Sequence, residues 1–402
     1  MRIVCISASQ VPSSTANSIQ VMKACQALAQ LGHEVRLWVP SPETIPPPSR
    51  GEGSGVGGNV QDARGRGEKG ADLEWERLAS FYGLQTRFEV ERIPARSQFR
   101  RYDFSLKAVL GAKALKADLL YVWPLQAAVF GLALHMRVAL ELHGPPEGKL
   151  GPVLFWLLRR IPGKRRLLPI TQALAALLLR LDGKPYRDGE VVIAHNGVDL
   201  ERYHDLPEPA TARARLGLPG GLTAGYTGHL YAGRGMGLLV ELARRFPQVQ
   251  FLWVGGRESD VEAWKGRLEQ EQITNVILAG FVENQRLPLY QAAADILLMP
   301  YERVITGSSG GNSAEYCSPM KMFEYMACGR AVISSDLPVI REVMSESYCI
   351  LCPPEDVESW VRALEELIEN PEKRLQLGLQ ARQEALAHTW LQRAQTALAG
   401  FL

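Results

Sequence analysis

The chain has 402 residues, 46% of them hydrophobic, enough for two or three domains with cores of their own. Its 45 basic and 43 acidic residues nearly cancel, which excludes a nucleic-acid binder working by bulk charge. Six scattered cysteines, mostly in apolar contexts, read as reduced core residues and favour a cytoplasmic home over a disulfide-stapled secreted one.

Residues 2–7 read as a first strand that begins at once, so no signal peptide is expected. An amphipathic helix over Ser18 to Gln30, closed by Gly32, leads to a second strand over Glu34 to Val39. This β-α-β opening implies a parallel sheet. Residues 41–71 carry Pro46-Pro47-Pro48 and then a Gly-rich, charged tract from which no core can be built; they are expected to form a mobile surface loop. Residues 119–136 lack formal charge, but Pro124, Gln126, Gly131 and His135 fit a strand, turn and short helix better than a membrane span.

Near Arg159-Arg160-Ile161-Pro162-Gly163-Lys164-Arg165-Arg166, five cations adjoin the apolar run Leu154 to Leu158, a combination suited to peripheral contact with an anionic membrane face. Asn196-Gly197 is a strong turn signal, and a first α/β run is expected to end near residue 200. A second β-α-β series follows. Its strands are expected after Ala224, over Val249 to Val254, Val276 to Ala279 and Asp295 to Met299, with helices over Gly237 to Arg245, Val261 to Gln270 and Leu287 to Ala293. The reading is two doubly wound, Rossmann-like α/β domains, residues 1–205 and 206–388, with a ligand cleft between them and a closing helix over 389–402 that crosses back to the first domain. Neither domain opens with G-x-G-x-x-G, which weighs against a dinucleotide oxidoreductase, and Gly228 to Gly235 lacks the Lys and Ser/Thr of a P-loop. Cys349 and Cys352 have C-x-x-C spacing, but a lone pair at the end of a strand-like run reads as structural, and no metal site is expected.

The run Ser318-Pro319-Met320-Lys321-Met322-Phe323-Glu324-Tyr325-Met326-Ala327-Cys328-Gly329 is the most informative. Ser318 reads as an N-cap with Pro319 at the first helical position, and Gly329 ends the helix before a strand at Ala331 to Ser335. The start of such a helix offers free N–H groups and the positive end of its dipole to a phosphate. Glu324, a turn and a half further on, can accept hydrogen bonds from both hydroxyls of a ribose. Together they could hold a nucleoside diphosphate without a metal.

This stretch resembles the donor-site motif of the retaining GT-B glycosyltransferases of family 4, and the likeness extends over most of the chain. The resemblance implies a GT-B fold and transfer of a sugar from a nucleoside diphosphate sugar, a UDP- or GDP-sugar, to an acceptor hydroxyl. The transfer would retain anomeric configuration, need no metal and no other cofactor, and serve synthesis of glycan, surface polysaccharide or glycolipid. The partners it implies are a nucleotide-sugar donor and a carbohydrate or lipid-linked acceptor, with the protein cytoplasmic or peripheral at the inner membrane face.

Residue by residue, the resemblance puts His143, after the strand Val138-Ala139-Leu140, against the transferred sugar, with Glu141 orienting it or touching the acceptor. Asn17 and Ser18 stand where the family often has two glycines beside the diphosphate and acceptor. Gly228, His229 and Arg234 occupy the diphosphate-gripping segment, with His229 at an Arg-like and Arg234 at a Lys-like place. Phe281 and Val282 match the segment that holds the nucleobase by backbone contacts. Ser318, Pro319, Met320, Lys321 and Glu324 complete the donor site. The family usually carries a second glutamate eight positions before Glu324; Tyr316 stands there, and Glu315 is one residue off. His143, Arg234 and Glu324 are the expected catalytic residues. A Gly- and Ser-rich loop over Tyr301 to Asn312 is expected over the sugar. Two other readings stay open: a sugar-nucleotide-binding protein without transfer, and a phosphorylase or epimerase on the same fold.

Overall fold

The structure, a computed structural model, describes residues 1–41, 68–96, 101–305 and 312–401. Two six-stranded sheets organise it. The first takes β1 (Arg2–Ile6), β2 (Glu34–Pro40), β3 (Glu89–Ile93), β4 (Leu119–Val122), β5 (Val138–Leu142) and β6 (Arg165–Pro169) in the order β3-β2-β1-β4-β5-β6. Its helices are α1 (Ala16–Gln30), α2 (Glu68–Tyr82), α3 (Tyr102–Ala114), α4 (Leu125–Ala133), α5 (Gly151–Arg160) and α6 (Gln172–Asp182), followed by α7 (Pro209–Leu216). The second sheet takes β7 (Thr223–Thr227), β8 (Gln250–Val254), β9 (Val276–Gly280), β10 (Ile296–Met299), β11 (Ala331–Ser335) and β12 (Ile350–Cys352) in the order β12-β11-β10-β7-β8-β9, every pairing parallel. With it go α8 (Met236–Arg245), α9 (Glu258–Gln270), α10 (Leu287–Ala292), α11 (Met320–Cys328), α12 (Pro338–Arg341), α13 (Val357–Glu369), α14 (Pro371–Ala385) and α15 (Trp390–Leu398).

Contact density divides the chain into two compact units: Met1–Val138 with Ile161–Lys164, and Ala139–Arg160 with Arg165–Leu402. In the first, Ile3, Val4, Cys5 and Ile6 are fully buried, as are Leu119, Leu120 and Val122, because a parallel strand is covered on both faces. In the second, α11 packs one face into the core through Met322, Phe323 and Met326. β8 buries Phe251 and Trp253 on one side of its sheet and Leu252 and Val254 on the other. The order of the second sheet reverses at β7, which lies between β10 and β8. That reversal opens a crevice at the carboxyl ends of the strands, where open α/β sheets take their ligands.

Several local expectations change. Residues 42–67 of the expected loop lie outside the described residues, and its last residues already belong to α2. Gly307 to Gly311 also lie outside them. Helix α11 starts one residue late: Pro319, at φ −67° and ψ 125°, is the N-cap, and Ser318 caps nothing. Its hydroxyl instead accepts from the backbone N–H of Asn196 at 3.1 Å, so the turn read as a domain boundary also holds the entry to α11.

The basic cluster is a set of structural clamps. Arg159 is fully buried and pairs with Asp182 and Glu190; Arg165 bonds Glu190 at 2.7 Å; Arg160 bonds Asp182 at 2.7 Å. Arg166 donates to the carbonyls of Ala397 and Ala399. Three of the five, Arg159, Arg165 and Arg166, are buried and the exposed Arg160 is tied to Asp182, because two carboxylates and two helix-end carbonyls meet these cations. Besides Arg160, α5 exposes Pro152, Val153 and Trp156, the last two about half accessible. No helix among the described residues is long and apolar enough to cross a membrane. The Cys349 and Cys352 thiols donate to the carbonyls of Ser345 and Ser359, and burial pushes each up to about 12, so both stay protonated. No group of three or more potential metal ligands occurs among the described residues.

Candidate active site

The second unit holds all the expected site residues except Asn17 and Ser18. The loop after β7 contributes Gly228, His229 and Arg234; the loop after β10 contributes Tyr301; α11 contributes Lys321 and Glu324. All lie where the sheet order reverses. Lys321 sits with Nζ 4.1 Å from the centroid of the Tyr226 ring and 5.3 Å from that of Tyr301. Arg234 lies over the same Tyr301 ring at 5.1 Å and over Tyr231 at 5.2 Å, and donates to the Tyr231 hydroxyl at 3.0 Å.

Neither cation forms an ion pair within the described residues. The Nε of Arg234 is buried with no hydrogen-bond partner. Cation–π contacts are worth only about 0.5–2 kcal/mol each, and two cations facing one ring repel. Burial and the adjacent Arg234 push Lys321 well below the usual lysine range, with Glu324 opposing. Burial, followed by Arg234 and Lys321, lowers His229 to about 4, so it is neutral at pH 7. Its ring stacks on Tyr231 at 5.0 Å. The result is a partly desolvated pocket that gathers two basic side chains and no acidic partner for either among the described residues. Helix α11 begins beside it with no side-chain cap hydrogen bond at its N-cap.

Glu324 is fixed by a residue that the sequence did not signal. Gln291 is fully buried; its Nε2 donates to Glu324 Oε2 at 3.0 Å and its Oε1 accepts from the Tyr203 hydroxyl at 2.8 Å. A glutamine inside an apolar helix carries no pattern that distinguishes this role. After β9, Phe281 is 55% exposed and Val282 partly buried, which leaves that segment open to a ligand.

His143 and Glu141 lie at the end of β5. His143 Nε2 is 3.1 Å from Glu141 Oε2. Glu141 is buried and bound by both terminal nitrogens of Arg393. Burial alone would push Glu141 up; Arg393 and His143 outweigh it and hold it at about 2. Glu315 is exposed and lines a cleft of about 770 Å³ with Pro145, Glu147, Asn312 and Tyr316. The Tyr316 ring fills the space beside Gly144, where a Cβ would meet it at 3.3 Å.

In the first unit, Asn17 and Ser18 belong to the opening turn of α1, not to a loop. Asn17 is exposed. Ser18 is fully buried, its hydroxyl bonded to the carbonyl of Gln10 at 2.9 Å and to the Tyr82 hydroxyl at 2.6 Å. Helical geometry at this point replaces the backbone freedom that paired glycines would give.

Two parallel sheets and a cationic pocket at a strand-order reversal define a nucleotide-binding α/β protein of the GT-B kind. Residues 18–202 match the family described as Glycosyltransferase Family 4, and residues 219–370 match Glycosyl transferases group 1. The chain belongs to the group 1, family 4 GT-B glycosyltransferases. It is 29% identical over 149 residues to TuaH of Bacillus subtilis (strain 168), whose name provisionally assigns it to teichuronic acid biosynthesis as a glycosyltransferase. That match covers 37% of this chain and 35% of TuaH. It is 25% identical over 218 residues to the alpha-galactosylglucosyldiacylglycerol synthase of Streptococcus pneumoniae (strain ATCC BAA-255 / R6), covering 50% of this chain and 54% of the synthase. The chain thus spans about half the length, or less, of these curated relatives. In fold it is similar to HepE of Anabaena, solved in complex with UDP, at TM-score 0.70 and 15% identity, covering 98% of each chain.

Proposed function

We propose that the protein is a retaining glycosyltransferase that moves a sugar from a nucleoside diphosphate sugar, a UDP- or GDP-sugar, to an acceptor hydroxyl. The observation that carries this is the pair of cations, Arg234 and Lys321, facing Tyr301 with no acidic partner among the described residues. A diphosphate supplies the missing charge. As the glycosidic bond to the leaving diphosphate breaks, negative charge grows on its oxygens, and Arg234, Lys321 and the N-terminus of α11 stabilise it. Glu324, held by Gln291, accepts from the ribose hydroxyls. His143 bonds a hydroxyl of the transferred sugar. The departing phosphate deprotonates the acceptor on the same face, so no protein base is assigned.

HepE binds UDP and UDP-glucose in structures of this fold, which supports a uridine donor. The relatives' names support an acceptor in surface polysaccharide or glycolipid synthesis. A lipid-linked acceptor would keep the protein at the inner membrane face. The test is thermal stabilisation by UDP-, GDP-, ADP- and CMP-sugars in the presence of EDTA. A shift confined to one nucleotide class is expected. Nucleotide binding without transfer to any acceptor would leave only a binding protein, and a shift that requires added magnesium would remove the metal-free reading.

A further inference from the structure

The last helix carries a side chain into the sugar end of the second unit. Arg393, on α15, is buried and donates Nη1 to Glu141 Oε1 at 2.7 Å and Nη2 to Glu141 Oε2 at 2.6 Å. Its Nε donates to the carbonyl of His195 at 2.8 Å. The helix that bears it is itself pinned: Val198 N donates to His388 O at 3.0 Å, and Trp390 N donates to Val198 O at 3.2 Å. A bidentate Arg–carboxylate pair fixes the carboxylate plane as well as its charge. The same Glu141 Oε2 then meets His143 Nε2 at 3.1 Å. Glu141 side-chain exposure is 1% and that of His143 is 17%, so the far end of the relay is dry and the near end is open.

We propose that Arg393 is a positioning residue for His143, acting through Glu141, and that the pair sets which imidazole nitrogen carries the proton. A carboxylate kept ionised can only accept, so the neutral His143 ring must present Nε2–H to it. Nδ1 is then left as an acceptor, the state suited to a hydrogen bond donated by a sugar hydroxyl. Without Arg393 the buried carboxylate would lose its counter-charge, and both its ionisation and its orientation would loosen. The proposal rests on the reading of His143 as the residue that faces the transferred sugar.

Imidazole ¹⁵N spectra separate the two claims, because they report the tautomer without substrate. In protein labelled at histidine, with the His143 signals assigned by difference against H143Q, the wild type is expected in the Nε2–H form. E141Q and R393M are expected to shift it toward a mixture, and R393K to restore most of it. Turnover, read as nucleoside diphosphate release, is expected to fall about tenfold to a hundredfold in kcat for R393M, with the donor KM little changed. If R393M does not fold, E141Q and R393K carry the same comparison. An unchanged His143 tautomer in both E141Q and R393M overturns the proposal. Full turnover in H143Q, with the tautomer still responding to Arg393, would remove the sugar-site reading and leave the relay standing.

Discussion

Lys321 Nζ lies 4.1 Å from the centre of the Tyr226 ring, the last aromatic of the central strand of the second sheet, and a Cβ on the neighbouring Gly228 would meet that nitrogen at 2.5 Å. Burial and the Arg234 charge push an ammonium so placed well below the usual lysine range.

A bound diphosphate reverses the field that lowers Lys321, so donor binding should take up protons. Calorimetric titration of the stabilising nucleotide in buffers of different ionisation enthalpy will measure this. Uptake is expected to grow, and affinity to fall, as pH rises through the free-state value of Lys321. K321M should abolish this dependence. Uptake that does not vary with pH would mean that Lys321 stays charged in the empty protein.

His229 is lowered to about 4 from an ordinary 6.5. Between those values the unfolded chain binds more protons than the folded one, so stability rises with pH there. The contribution is complete above pH 6.5 and is lost as pH falls toward 4. Thermal melts across that window should therefore fall less steeply for H229Q than for the wild type. Parallel curves for the two would place the acid sensitivity elsewhere.

Glu324 has Gln291 as its side-chain partner, and charged hydrogen bonds are worth about 1.5–3 kcal/mol. Glu324→Ala should weaken donor binding about tenfold to a hundredfold while the protein stays folded, losing about 1–3 kcal/mol of stability from the Gln291 donor left unpaired. Equal affinity in the variant would defeat the ribose assignment.

Three glycines, Gly228, Gly233 and Gly235, shape the loop after β7, and two of them separate strain from clash. Gly235 adopts φ +70°, and a Cβ there would sit 1.9 Å from the carbonyl oxygen of Pro300; Gly228 adopts φ +145°. Gly235→Ala should cost more than the ~1–3 kcal/mol of backbone strain alone, because the clash is with a carbonyl and not a movable side-chain tip. Gly228→Ala should be milder for stability, since Lys321 can swing away, but should displace the cation and weaken nucleotide binding. Denaturant unfolding with nucleotide titration separates the two effects; equal losses of stability would refute the distinction.

The alternation of apolar strands and periodic helices and the run from Ser318 to Ser335 were enough to place two Rossmann-like sheets and the helix that precedes β11. Those features are local. Burial on both faces of a parallel strand makes it uniformly apolar, and a helix that begins with proline and ends with glycine announces both ends. Charge was less legible. The basic cluster looks like an exposed cationic face in sequence, and only the fold brings Asp182 and Glu190 onto Arg159, Arg160 and Arg165.

The sequence by itself determined the fold class, the family and which segments reach the carboxyl ends of the strands. The tertiary structure decided which charges there are spent and which are free. Glu141 is taken by Arg393, 252 positions away, and Ser318 by Asn196, 122 positions away, whereas Arg234 and Lys321 have no acidic partner among the described residues. The reason is that periodicity encodes which face of an element is buried, but the partner of a polar group is set by distances between elements far apart in the chain, and no local pattern records them.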